Sequence, residues 1–396
     1  MNLSFIIPLT FMSAQCTEHN IQCIILYMDY RTRFDKTINH IQTDRPPLDL
    51  NGTSLTSYHE EFLKNFVKYH GMDALDISDA EEKIMQYYDI DFRRAGALFK
   101  PTTKLTDNSK RSKGVYTNCW GIKWQLFGMY WEIVNNPLKD ATFEEIKAFP
   151  WPDAKDIDMD LLKEQTEKAK RLYYDTDYVV VAEHPVYGYF ELGCWMFGFD
   201  DFLYRVAAEP ETAEWFFSNY HKYVTDINEL YYGSLGKYIH LTTSGDDFGM
   251  QNGPFLSPSM FKEMIAPWYK KRISQVKSIC NTLFFHHSCG SVYKLMDTII
   301  DMGVDILNPI QPGTKDMEPE KLKTEYGNKI VFWGGIDEQN LLSKAAKEQV
   351  KEEVRRVSGI LSKNGGYVLA ASHNIQPDVP VENVDAMLKS IRCSKA

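Results

Sequence analysis

The sequence contains no CxxC pair, no GxGxxG run and no apolar stretch near the ~20 residues a membrane-spanning helix needs. Its seven cysteines, at 16, 23, 119, 194, 280, 289 and 393, are odd in number and scattered over 396 residues. That is the usage of a reduced, cytoplasmic protein and not of a disulfide scaffold. With no glycine fingerprint after the first strand, a dinucleotide-binding sheet is disfavoured. Positive charge is in deficit: 44 Lys and Arg stand against 54 Asp and Glu, a net charge of −10. Broad binding to a phosphate backbone is therefore not expected, and neither is a membrane partner. Internal repeats and low-complexity linkers are also missing. What is abundant is apolar and aromatic side chain, 44% and 13% of the chain, enough for a large core.

Residues Met1 to Tyr27 imitate a signal peptide weakly. They lack a basic n-region, and Pro8 interrupts the apolar run from Phe5 to Met12. The expectation is a non-native or disordered extension over 1–27 and a start at Met28, with 28–396 as one domain.

From residue 160 helical and strand-like segments alternate. Helices over Asp160–Tyr174, Pro210–Leu235, Pro258–Cys280, Val292–Met302, Glu318–Tyr326 and Ala345–Leu361 each precede a short β-rich run. The runs begin at Tyr178, Tyr238, Thr282, Val304, Lys329 and Gly366. Two earlier strands, near Leu48–Gly52 and Asp89–Phe92, bring the count to about eight. The fold class expected is α/β, a (β/α)8 TIM barrel with an N-terminal elaboration over 28–160. Thr142-Phe-Glu-Glu145 is a capping-box signature, and Trp120 to Trp131 reads as a hairpin or cover element.

In such barrels chemistry gathers where strands end. Those ends are polar here: Glu183-His184, Gly245-Asp246-Asp247, His287-Ser-Cys289, Asn308, Asp337 and Ser372-His373-Asn374. Residues i and i+2 of a strand share a side, so His287 and Cys289 can hold one metal ion, while His286 points the other way, into packing or towards a helix. His373, at a later strand end, supplies a third donor. Three donors with an open position describe a catalytic zinc site. Asp246, Asp247, Asp337 and Glu191 are the candidate acids and bases. For Asp246 and Asp247 a cap or loop salt bridge weighs equally, and Asp337 is well placed to cap the helix beginning near Glu338. Tyr187, Trp120, Asn308 and Asn374 are the candidate substrate contacts. Trp120, Trp124, Tyr187 and Trp195 can wall a pocket, although such clusters are more often core.

Arg31-Thr-Arg-Phe, Asp44-Arg-Pro-Pro-Leu-Asp49, Gly245-Asp-Asp-Phe-Gly-Met-Gln-Asn-Gly253, Phe285-His-His-Ser-Cys-Gly-Ser291, Val304-Asp-Ile-Leu-Asn-Pro309, Phe332-Trp-Gly-Gly-Ile-Asp337 and Ser372-His-Asn-Ile-Gln-Pro377 together resemble the uroporphyrinogen decarboxylase superfamily. The resemblance runs from about Met28 to the C-terminus and implies a TIM barrel. The superfamily holds two chemistries. True uroporphyrinogen decarboxylases use no metal and carry an Arg-rich N-terminal segment of the RQAGRY kind. This chain lacks that segment and has Asp49-Leu-Asn-Gly-Thr-Ser54 in the comparable region. The other branch comprises zinc-dependent methyltransferases that work with corrinoid proteins, whose motif is His-x-Cys plus a later Cys. His287 and Cys289 match the pair, and His373 stands at the later position. The resemblance implies a methyltransferase with Zn2+ as cofactor, a small methyl donor or acceptor, and a separate corrinoid protein as partner. A homodimer is left open. A metal-free decarboxylase and a non-catalytic corrinoid or tetrapyrrole binder are the alternatives.

Overall fold

The computed structural model describes residues 28–391. The expectation for residues 1–27 lies outside them.

Seven parallel strands stand side by side in chain order: Phe92–Ala95, Val179–Ala182, Leu241–Thr242, Leu283–His287, Ile306–Ile310, Val331–Gly334 and Tyr367–Val368. Residues 47–50 close the ring. Asp49 N–H donates to Leu369 O and Leu369 N–H to Pro47 O, both at 2.9 Å, while Asp91 N–H reaches Leu48 O at 3.1 Å. Eight staves therefore make a (β/α)8 barrel, and both early strands expected from the sequence are among them.

Alternation along the strands sorts the side chains. Phe92, Val179, Val181, Leu241, Phe285, Ile306, Val331, Trp333 and Val368 fill the barrel, while Val180, Ala182, Phe284 and Leu307 face the helices. The helix Tyr30–Ile38 inserts Phe34 into the barrel cluster. At the strands' N-terminal ends lies a buried ion-pair network. Asp91 accepts from Arg33 and from Arg45, each at 2.6 Å, and Arg33 also binds Asp44 at 2.8 Å. Part of the family-like opening sequence thus serves to tie the chain to the barrel floor.

Part of the elaboration is an insertion between the second and third staves. It contains a three-stranded antiparallel sheet of Val115–Thr117, Lys123–Phe127 and Tyr130–Asn135, followed by the helix Phe143–Ala148 with the expected capping box on Thr142 and Glu145. The hairpin reaches over the mouth, where Tyr130 donates to Gln376 Oε1 at 2.9 Å. Among the described residues no helix is long and apolar enough to cross a membrane.

Candidate metal centre

The strand Leu283–His287 delivers His287 to the mouth, held there by its N–H to Ser244 O at 2.7 Å. Cys289 lies just past the strand's end, in extended chain whose Ser288 N–H still pairs with Asn308 O. His373 follows the last stave and is also in a loop. It is fixed from both sides: Ser372 N–H donates to Ile336 O at 2.7 Å, and Asn374 Oδ1 accepts Ser57 N–H at 2.8 Å. Donor atoms of His287, Cys289 and His373 lie within 4.8 Å of one another. Cys289 Sγ is 3.3 Å from His287 Nε2.

Two glycines permit this geometry. Gly290 has φ +78°, and a Cβ there would lie 2.3 Å from the carbonyl carbon of Gly249. Only bare backbone lets the 245–250 loop sit against the 288–291 loop and bring Asp247 to Cys289. Asp247 Oδ1 then accepts Cys289 N–H at 2.7 Å and stands 4.0 Å from His287 Nε2.

The set suits zinc. Burial lowers His287, which favours the neutral imidazole a metal requires. Burial and the Asp247 carboxylate raise the Cys289 thiol, and a cation among the donors would reverse that. Two imidazoles and one thiol are borderline-soft donors, and three of them leave a position open.

The other expected site residues separate by role. Asn308 is wholly buried, with Oδ1 2.5 Å from His287 Nδ1 and Nδ2 donating to Trp333 O at 3.2 Å. It orients His287, one of the three candidate donors. Asp246 is also buried. Its carboxylate accepts Phe190 N–H at 2.8 Å, Glu191 N–H at 2.7 Å and Tyr269 O–H at 2.8 Å. Burial pushes it up to about 7 despite these bonds. It anchors the start of the helix Tyr189–Phe197. Asp337 is likewise committed to capping, accepting from Gln339 N–H and Asn340 N–H at 2.9 and 3.0 Å. Trp120 is 2% exposed and packs edge-on to Tyr220 and Tyr223. Tyr187 is half-buried and packs edge-on to Trp195, and Asn374 is engaged with Ser57. His286 packs between Phe248 and Tyr269, and burial drops it to about 3.

Glu191 and Asp247 do come together, on the wall of one cleft of about 420 Å³. Phe190, Trp195, Phe199, Phe255 and Ile133 of the covering hairpin also line it. Burial, then the charges of Asp246 and Asp247, raise Glu191 well above the usual carboxylate range. Sequence reasoning missed Phe190, Phe199 and Phe255. The helix Tyr189–Phe197 is buried almost all round, so it carries no amphipathic period to announce it.

Residues 239–393 match the family profile described as uroporphyrinogen decarboxylase (URO-D). Over that stretch the chain is similar to the URO-D family. The URO-D of Rickettsia africae is 26% identical over 140 residues, 35% of this chain and 38% of that one. The URO-D of Wolinella succinogenes is 24% identical over 180 residues, 44% and 49% of the two chains. The chain thus spans between a third and a half of these URO-D relatives' length. A methyltransferase from Methanosarcina mazei shares the fold, with TM-score 0.65 and 14% identity over 92% of this chain and 98% of that one.

Proposed function

We propose that this chain is a zinc-dependent methyltransferase, moving a methyl group between a small substrate or thiol and a corrinoid carried by a separate protein. The observation that carries the reading is the convergence of His287, Cys289 and His373 from two strand ends onto one volume at the barrel mouth. The structural neighbour from Methanosarcina mazei, a methyltransferase of the same fold, supports the branch.

Bound zinc would supply a Lewis acid, able to keep a thiol as thiolate or to polarise a methyl-bearing heteroatom. The chain's own residues do the rest. Asn308 holds His287 with Nε2 turned to the other donors. Asp247 fixes the Cys289 backbone and lines the cleft, so it links donor set and substrate space. The hairpin carrying Ile133 narrows access of water to the cleft.

The metal content of the full chain, purified without added metal, tests this. One zinc per chain is expected, lost in Cys289→Ser and His373→Ala while their circular dichroism matches wild type. Loss of methyl transfer from methylcobalamin to a thiol should accompany it. Wild-type protein without metal would overturn the reading. The curated relatives favour a second reading, decarboxylation of uroporphyrinogen. Against it, Arg33 and Arg45 are bound to carboxylates at the barrel floor, and among the described residues no arginine lines the cleft to grip a polycarboxylate. Turnover of uroporphyrinogen in the presence of chelator would establish it.

A further inference from the structure

The cleft beside the three donors has a chemical character of its own. Four of its walls are aromatic: Phe190, Trp195, Phe199 and Phe255. Three of them form a continuous surface, with the Phe255 ring 6.0 Å from that of Phe190 and 5.0 Å from that of Phe199. Beside the exposed Asp200, two less exposed acidic residues, Glu191 and Asp247, share the same cleft. Among the described residues neither has a lysine or arginine within 4.0 Å, and the Glu191 carboxylate accepts no hydrogen bond. Lys139, the cation among the lining residues, is exposed and pairs with neither.

Like charges held together without a counter-ion raise each other's cost, and either a proton or a cation relieves it. Aromatic faces offer a cation a second attraction and offer a bulky, weakly hydrated one the better fit. Such faces cannot hydrogen-bond, so they do not favour a strongly hydrated metal ion or primary ammonium. A neutral ether would use the aromatic walls but leave the carboxylates unpaired.

We infer that the cleft binds a small methylated ammonium cation, with its positive head among the aromatic rings and against Glu191 and Asp247. Its part as methyl-bearing substrate rests on the methyltransferase reading; the binding itself does not. Asp247 touches both the cleft and the Cys289 backbone, so a guest held there lies next to the donor set.

Calorimetric titration of the full chain tests the assignment. The probes are choline chloride and 3,3-dimethyl-1-butanol, its neutral isostere with carbon in place of nitrogen. Choline should bind at least tenfold tighter than the isostere. Glu191→Gln, nearly isosteric and expected to fold, should weaken choline at least tenfold and leave the isostere unchanged. Trp195→Leu should weaken choline about fivefold, in keeping with a cation–π contribution. Zinc is measured in the same preparations. Zinc present, with no discrimination between choline and the isostere, overturns the cation assignment and leaves the methyltransferase reading standing. Discrimination in metal-free protein supports the cleft assignment and overturns the metal site instead. Discrimination that survives Glu191→Gln and Trp195→Leu unchanged would place the cation elsewhere and overturn the inference.

Discussion

Asn308 decides which nitrogen of His287 faces the pocket. Its Nδ2 is used by Trp333 O, so Oδ1 faces His287 and accepts Nδ1–H. The neutral ring then keeps its lone pair on Nε2, the atom nearest Cys289 Sγ. Asn308→Ala removes that control without touching a donor atom. Zinc affinity, measured by competition with a chromophoric chelator, should fall 10- to 100-fold. An unchanged affinity would mean that ring packing alone orients His287. At this scale the sequence was informative where chemistry is concentrated in a short motif. His287 and Cys289 could be picked out because two residues apart in extended chain share a side. Asn308 was visible as a polar strand end, but its role was not. A ligand and the residue that orients it look alike until the hydrogen bonds are known.

Among the elements, the helix Tyr189–Phe197 matters most, since it carries Phe190, Glu191 and Trp195. It begins at Gly188 with no side-chain cap of its own. Asp246, from the loop after the neighbouring stave, binds the amides of Phe190 and Glu191 instead. Gly188 is what allows the approach, because a Cβ there would lie 2.4 Å from Asp246 Cγ. Asp246→Ala would strip two helix-start amides and the Tyr269 hydroxyl of their acceptor inside the protein. A loss of about 2–4 kcal/mol in urea denaturation is expected, with Asp246→Asn losing less. A midpoint unmoved by Asp246→Ala would show that packing alone seats the helix. Strands and amphipathic helices were readable because their burial is periodic. The long helix Pro210–Leu235 has the bounds its sequence pattern indicates. The helices Tyr189–Phe197 and Phe199–Ala208 were not read, since one is apolar on nearly every side and Gly198 breaks the run between them. The insertion's place between two staves depends on long-range pairing, which local periodicity does not encode.

Across the whole molecule, stability and chemistry sit at opposite ends of the barrel. The mouth holds groups that are costly to keep apart from a ligand: the three donors, and Glu191 beside Asp247. The floor holds the compensated charges. Asp91 is fully buried, and its carboxylate takes Arg33, Arg45 and the Leu48 N–H at 2.6, 2.6 and 2.9 Å. Leu48 belongs to the segment that closes the ring, so one side chain links the N-terminal helix, the closing stave and the stave beginning at Phe92. Asp91→Ala would leave two buried guanidinium groups short of a partner and free the closing segment. The expected cost is about 3–5 kcal/mol, a large part of the ~5–15 kcal/mol that holds a typical domain folded. Yet the donors lie at the other end, past the full height of the packed interior. The fraction of Asp91→Ala protein that stays folded at low temperature should therefore bind zinc with wild-type affinity. A variant that lost both stability and zinc affinity in the folded fraction would show that closure of the floor shapes the mouth. The division of labour along the barrel axis would then have to be given up.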